Sequence, residues 1–111
     1  MAPDCIFIAY GSLAPGKENH GFIKHLKGVW KHGVVLGRLE HKGWGSRMGF
    51  PGFRKSNDPK SIEVQILFSL ELPVYWDQLD EFEGDEYVRE LIEFTLKDGD
   101  KGCGYLYALT R

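Results

Sequence analysis

The strongest constraint on how this chain folds is an alternating segment from Ile62 to Leu70. Apolar residues occupy every second position, and polar residues such as Glu63 and Gln65 lie between them. Successive side chains of a β-strand point to opposite faces of a sheet, so this spacing predicts a half-buried strand. The fold must therefore contain a sheet with at least one covered face.

Four other segments are predicted to be strands because they are rich in β-branched or aromatic residues and are bounded by glycine or turn residues. The second of them contains Gly33 and Gly37, which suggests a bent or bulged strand. The four segments are residues 6–9, 29–39, 88–96 and 105–109.

Two short helices are expected between the strands. One is capped by Asn19, has apolar residues on one side over 22–26 and ends before Gly28. The other begins near Pro73, since proline is tolerated in a first helical turn, and runs toward Phe82. The order β, α, β, long loop, β, α, β, β lacks regular βαβ alternation. It predicts an α+β fold, either a small mixed β-barrel or a curled sheet, with short helices.

Composition limits both the size and the partners of the protein. With 111 residues and 42% hydrophobic content, residues 1–111 are expected to form a single domain around one core. The net charge is only −2 and lysines and arginines do not cluster, so nucleic-acid binding is not expected. The apolar run from Cys5 to Tyr10 is too short for a membrane span or a signal peptide, which favours a cytoplasmic protein without a membrane segment.

The cysteines and histidines form no recognisable disulfide framework or metal site. Cys5 and Cys103 do not belong to a CxxC pair, so both are expected to be reduced thiols in the core. None of the four histidines has the HxxxH or HExxH spacing that places two imidazoles on one helix face. A metal site is therefore not expected.

A glycine-rich segment from Gly43 to Lys60 is predicted to be a long loop, and it contains Trp44, Phe50 and Phe53. Loops longer than about 12 residues are uncommon in compact domains and often form lids over binding sites. The segment is therefore a candidate wall of a site. The alternative is an irregular meander that buries its own aromatic side chains.

The loop after the first strand matches most of a phosphate-binding loop. Gly11 to Lys17 fit the first seven positions of GxxxxGK[ST]. The eighth position is Glu18, which has no hydroxyl to hold magnesium, and Pro15 removes a backbone donor. Nucleotide hydrolysis is not expected. Backbone N–H groups after such a glycine can still form a concavity that holds a small carboxylate.

One carboxylate shares the apolar side of the second helix. At about 100° per residue, Glu83 falls within about 60° of Trp76 and Leu79. A carboxyl group among apolar side chains has a raised pKa and can transfer protons near neutral pH. If the helix ended before Glu83, this residue would instead be exposed or would cap the following turn. Glu81 and Glu86 are expected to be solvated charges.

Two short signatures carry a family resemblance. The first is Tyr10-Gly11-Ser12-Leu13, at the end of the first strand, and the second is Leu79 to Arg89, an LDxFEG stretch followed by Tyr-x-Arg. Both resemble signatures of the gamma-glutamylcyclotransferase-like family. Met48 to Gly52 and Tyr105 to Tyr107 are also similar to family segments, so the resemblance covers nearly the whole chain. Gln65 departs from the family, whose members often carry a glycine in that strand.

The resemblance implies a small mixed barrel whose cavity lies between the loop Tyr10–Leu13 and Glu83. It implies that Tyr10, Gly11, Ser12 and Leu13 bind the substrate, that Tyr107 lines the cavity, and that Glu83 is the general acid/base. Tyr107 could equally be an ordinary strand aromatic.

The implied reaction is the intramolecular aminolysis of a gamma-glutamyl amino acid or amine, which releases 5-oxoproline and needs no cofactor. The small gamma-glutamyl molecule is the partner that the resemblance implies. The alternative is a non-catalytic module that binds small molecules or regulates, and that retains the same cavity.

Overall fold

The computed structural model describes the backbone of residues 1–110 and the side chains of all of these except positions 45 and 48. In this part of the chain there are six strands, one α-helix and four short 3-10 segments. The strands are β1 (Ile6–Ala9), β2 (Val29–Glu40), β3 (Gly52–Arg54), β4 (Lys60–Phe68), β5 (Tyr87–Leu96) and β6 (Lys101–Leu109), and the helix is α1 (Trp76–Glu83). The 3-10 turns are Pro3–Cys5, His20–Phe22, Trp44–Met48 and Leu72–Val74.

Five of the strands close into a small barrel. Their order around it is β1-β4-β2-β5-β6, and a parallel pairing of Phe7 with Tyr105 joins β6 back to β1. The other pairings of the ring are antiparallel. The short β3 pairs antiparallel with β2 and parallel with β6, beyond the point where β2 pairs with β5. The predicted α+β fold with a small mixed β-barrel is confirmed.

The alternating segment forms β4 and fills the barrel interior. Ile62, Val64 and Ile66 are buried in the inner cluster. Leu67 points to the other face and is also fully buried, because it belongs to an outer cluster of apolar side chains that includes Ile23 and Leu72. Leu70 lies beyond the end of β4 and is 76% exposed, so its predicted place on the buried face is wrong.

Helix α1 packs on the outside of β1 and β6. Trp76 and Leu79 are buried in an outer cluster with Phe7 and Tyr107. Burying one large apolar side chain stabilises a fold by about 1.5–3 kcal/mol, so these contacts hold the helix in place. The indole N–H of Trp76 also donates to the carbonyl oxygen of Asp4 at 2.7 Å. The helix is thereby fixed against the strand that leads into the first loop.

Two local predictions are corrected. The helix expected after Asn19 is a single 3-10 turn, His20–Phe22, and Asn19 makes no capping hydrogen bond. Its side chain instead donates to Ser12 Oγ at 2.8 Å, so a hydrogen bond within the loop takes the place of the cap. The segment Gly43–Lys60 is not a continuous loop, because it contains a 3-10 turn and β3.

Close packing explains why β3 forms. Phe53 is fully buried in the inner cluster. A Cβ at Gly52 would lie 2.5 Å from Leu109 Cγ, so only glycine lets the two strands approach this closely. Phe53 is therefore a core residue of a regular strand, so neither the predicted loop nor the alternative irregular meander describes residues 52–54.

The glycines of β2 mark close approaches and not a bulge. The pairing of β2 with β4 runs residue for residue from Val29 with Phe68 to Gly37 with Lys60. A Cβ at Gly33 would lie 2.6 Å from the carbonyl oxygen of Thr95 in β5. Gly33 therefore allows β5 to pack tightly against β2, and the predicted bulge is absent from this pairing.

The two cysteines differ in burial. Cys5 is buried, whereas Cys103 in β6 is only half-buried, and both are free thiols. The predicted core position therefore holds for Cys5 alone. No helix among residues 1–110 has the length and apolar character needed to cross a bilayer.

Candidate functional site

The end of α1 places Glu83 in the interior. The helix includes Glu83 as its last residue, seven positions after Trp76, so the two share one side. Gly84 ends the helix with a φ of 78°, and its N–H donates to the carbonyl oxygen of Asp80 at 3.0 Å. Glu83 is only 9% exposed, whereas Glu81 on the same helix is exposed. The interpretation in which the helix stops before Glu83 is wrong.

The carboxyl group of Glu83 is desolvated and has no hydrogen-bond partner among the described residues. Burial raises its pKa from 4.5 to about 7. The backbone oxygen of Glu83, in contrast, accepts a hydrogen bond from the indole N–H of Trp44 at 2.7 Å. A carboxyl group with a pKa near 7 can both accept and donate a proton at neutral pH.

The first loop is held by its carbonyl groups. The carbonyl oxygen of Gly11 accepts from the N–H of Ala14 at 3.1 Å, and that of Ser12 accepts from the N–H of Asn19 at 2.8 Å. The carbonyl oxygen of Leu13 accepts from His20 Nδ1 at 2.9 Å, which requires the proton to be on this nitrogen.

Three N–H groups of this loop, in contrast to its carbonyl groups, are unpaired among the described residues. Within residues 1–110, no protein group accepts a hydrogen bond from the N–H of Gly11, Ser12 or Leu13. Successive unpaired N–H groups of this kind form a concavity that binds anions. This loop can therefore hold a carboxylate through its backbone.

The loop and Glu83 line one cavity. Its empty space, counted out to the open mouth and including solvent there, is about 410 Å³. Among its described lining residues, Glu83 alone carries a side-chain carboxyl or a cationic group. The other lining residues are Phe7, Ile8, Ala9, Tyr10, Gly11, Ser12, Leu13, Trp44, Phe50, Pro51, Tyr87 and Tyr107. The structure thus brings together all six residues that the sequence singled out for the site.

Two tyrosine hydroxyls frame the cavity. Tyr10 Oη donates to the carbonyl oxygen of Tyr107 at 2.5 Å and accepts from the N–H of Phe53 at 2.9 Å. Tyr107 Oη donates to Asp80 Oδ1 at 2.7 Å. Burial raises the pKa of both phenols, and the hydrogen bond to Asp80 raises that of Tyr107 further. Both hydroxyls therefore remain neutral and are engaged in hydrogen bonds with the protein.

Seven lining residues were not assigned to the site from the sequence, and four of them lie outside β1. Trp44, Phe50 and Pro51 belong to the segment expected to form a wall, but its pattern did not show which of its side chains would reach the cavity. Tyr87 stands in the Tyr-x-Arg signature, and no role was inferred for it. Gln65, the departure from the family, pairs with Ala9 and His32 without interrupting β4.

The described residues offer no metal site. Within residues 1–110, no group of three or more His, Cys, Asp or Glu side chains is placed to hold an ion. The chemistry that this cavity can perform with its own groups is proton transfer by Glu83 beside a backbone anion site.

Comparison with known proteins identifies a family. A family model described as "Gamma-glutamyl cyclotransferase, AIG2-like" matches residues 7–111. No curated protein matches the chain.

Several solved structures share the fold. YkqA from Bacillus subtilis superposes with a TM-score of 0.74 at 17% identity, over 96% of this chain and 36% of its own length. An AIG2-like protein from Mus musculus superposes with a TM-score of 0.66 at 18% identity, over 96% of this chain and 77% of its own. A structure named gamma-glutamyl cyclotransferase superposes with a TM-score of 0.69 at 16% identity, over 96% of this chain and 66% of its own. This chain thus spans about a third of YkqA, and at these identities the similarity is one of fold.

Proposed function

Since this chain belongs to the gamma-glutamyl cyclotransferase, AIG2-like family, we propose that it releases 5-oxoproline from a gamma-glutamyl amino acid or amine. One observation carries the proposal. An isolated carboxyl group with a pKa raised to about 7 shares a cavity with a loop of unpaired backbone N–H groups. The reaction needs these two functions, a proton carrier and a holder for the glutamyl carboxylate.

In the proposed binding mode, the N–H groups of Gly11, Ser12 and Leu13 hold the α-carboxylate of the substrate. Each hydrogen bond to a charged group is worth about 1.5–3 kcal/mol, so this loop can bind an anion without a lysine or arginine. Tyr10 and Tyr107 act as the frame of the cavity and not as acids, because their hydroxyls are engaged by the protein. The glutamyl chain is thereby bent so that its two ends approach each other.

In the proposed reaction, Glu83 takes one proton from the α-ammonium of the substrate. The free amine attacks the side-chain carbonyl carbon, and a new N–C bond closes the five-membered ring. When the intermediate collapses, the bond to the departing nitrogen breaks and Glu83 returns its proton to that nitrogen. The ring nitrogen loses its second proton to solvent, from which the released amine takes one up. The step is intramolecular, so positioning and proton transfer suffice.

The partner in this proposal is a small gamma-glutamyl molecule, and the place of the reaction is the cytoplasm. The free thiols of Cys5 and Cys103 are compatible with a reducing compartment.

The test is release of 5-oxoproline from a panel of gamma-glutamyl amino acids, gamma-glutamyl amines and glutathione. We expect turnover of at least one compound, and a decrease of kcat by about 10²-fold or more in Glu83→Gln, because the amide cannot carry the proton. Glu81→Gln makes the same change at an exposed position of the same helix and should keep normal turnover.

Three outcomes would contradict the proposal. Equal losses in both variants, or near-normal turnover of Glu83→Gln, would remove the assigned role of Glu83. Binding of 5-oxoproline without turnover of any compound would favour the non-catalytic module with the same cavity.

A further inference from the structure

A second carboxylate ties the end of α1 to two strands. Asp80 lies one turn before Glu83, and its Oδ1 accepts a hydrogen bond from Tyr107 Oη at 2.7 Å. Its Oδ2 accepts one from Arg89 Nη2 at 3.2 Å, which also makes an ion pair. Because Tyr107 belongs to β6 and Arg89 to β5, a single side chain joins the helix to both.

The two partners of Asp80 are themselves fixed. The guanidinium of Arg89 lies 4.8 Å from the ring centre of Trp76 and 5.4 Å from that of Tyr105, within the range of cation–π contacts. The carbonyl oxygen of Tyr107 accepts the hydroxyl of Tyr10, which follows β1. The network therefore extends from the outer surface of α1 to the first loop.

Glu83 depends on this network because its own carboxyl group has no hydrogen bond to a described residue. Helix α1 has only eight residues, so the position of its last side chain follows any movement of the helix. The carbonyl oxygen of Asp80 also accepts the N–H of Gly84, which closes the turn after Glu83. Both the side chain and the backbone of Asp80 thus act on the segment that carries Glu83.

Building on the proposed acid/base role of Glu83, we propose that Asp80 is a positioning residue for it. Through Tyr107 and Arg89, Asp80 holds the end of α1 so that the Glu83 carboxyl group remains inside the cavity and away from water. Asp80 is not among the described residues that line the cavity, so it acts through Glu83 and does not contact the substrate.

The first measurement does not require turnover. The carboxyl carbon of Glu83 is titrated by NMR in ¹³C-labelled protein, with Glu83→Gln used to assign the signal. The wild-type midpoint is expected near 7, where burial places the pKa. In Asp80→Asn the helix end loosens and the Glu83 carboxyl gains water, so its midpoint should fall toward the ordinary value of 4.5.

The Glu83 midpoint depends both on the charge of Asp80 and on the position of Glu83, and the two effects must be separated. The groups around Glu83 are the phenols of Tyr10, Tyr87 and Tyr107 in the cavity, with Asp80 and Arg89 behind them. Asp80→Asn removes a negative charge, which by itself lowers the pKa of a neighbouring carboxyl. Tyr107→Phe breaks the same hydrogen bond and leaves that charge in place. A lowered Glu83 midpoint in Tyr107→Phe therefore reports a change in the position of Glu83 and not a change in charge. This variant also replaces Asp80→Asn as the test if Asp80→Asn does not fold.

The second measurement is kinetic. In Asp80→Asn, kcat should fall about 10-fold or more while KM stays within about 3-fold, because the proton carrier is misplaced and the binding loop is intact. The double variant Asp80→Asn/Tyr107→Phe should lose no more than the worse single variant, since both break one hydrogen bond. Asp77→Asn, an exposed position on the same helix, is the matched control and should leave kcat and the midpoint unchanged.

A Glu83 midpoint that stays near 7 in both Asp80→Asn and Tyr107→Phe would overturn the inference, whatever happens to turnover. Losses of kcat that multiply in the double variant would overturn it as well. If the wild-type protein releases no 5-oxoproline, the proposed function fails, but the titration still decides whether Asp80 positions Glu83.

Discussion

Glu83→Gln should stabilise the folded protein by an amount that increases with pH. In the folded state, burial raises the pKa of this carboxyl group from 4.5 to about 7, whereas in the unfolded chain water restores the ordinary value. Between these two values the folded state binds more protons than the unfolded state. Its stability therefore falls as the pH rises through this range, and the loss persists at higher pH.

The size of the effect follows from the same two values. One unit of pKa corresponds to about 1.4 kcal/mol, so the rise from 4.5 to about 7 corresponds to a cost of about 3 kcal/mol above pH 7. Glutamine has nearly the same shape and carries no charge, so the variant does not bear this cost. Since Glu83 is only 9% exposed, solvent screening removes little of it.

The assay is urea unfolding of the wild-type protein and the variant at a series of pH values from about 4.5 to 8.5. The difference in free energy of unfolding should be near zero at the acidic end and should reach about 3 kcal/mol in favour of Glu83→Gln at the basic end. Glu81→Gln, which changes an exposed side chain, should follow the wild-type curve. Parallel curves for wild type and Glu83→Gln would refute the reasoning, because they would mean that the carboxyl group is hydrated in the folded state.

Two further predictions concern the segment 43–60 and the thiols. Within the segment Gly43–Lys60, we expect the part before β3, residues 43–51, to form a mobile flap over the cavity, with Trp44 as its contact to Glu83. The amide hydrogen exchange of this part should be fast in the free protein and slower with 5-oxoproline bound. Equal protection in both states would show that the segment is a fixed wall. Replacing Cys5 and Cys103 with alanine or serine should leave turnover within a few-fold, because neither residue lines the cavity. A loss of about 10²- to 10⁴-fold would instead indicate a thiol in the chemistry.

Local sequence patterns predicted burial correctly wherever the buried positions repeat with the period of a single strand or helix. The spacing of two in β4 and the placement of Glu83 on the side of Trp76 are both seen in the structure. They could be inferred because the position of a side chain on a strand or helix depends only on its place along that element. The same reasoning failed where other side chains cover the outside of the sheet. Leu67 lies on the face of β4 that the alternation assigns to polar residues, but it is fully buried.

Contacts that no helix or strand period predicts decided the rest. The helix expected after Asn19 gave way to a side-chain bond with Ser12, and β3 forms inside a segment predicted to be a loop. In both cases side-chain packing or hydrogen bonding outweighed a weak local preference, which amounts to only about 1 kcal/mol for a cap.

The sequence by itself predicted that a glycine turn follows the first strand, and that Glu83 shares the apolar side of the second helix if that helix extends to it. Only the tertiary structure decided that the N–H groups of Gly11, Ser12 and Leu13 stay unpaired beside that carboxyl group, and that Asp80 ties its helix to β5 and β6. The hydrogen bond between Tyr107 and Asp80 spans 27 positions of the chain, and the one between Tyr10 and Tyr107 spans 97. No local periodicity predicts hydrogen bonds between positions so far apart in the sequence, because these bonds form only once the barrel has closed.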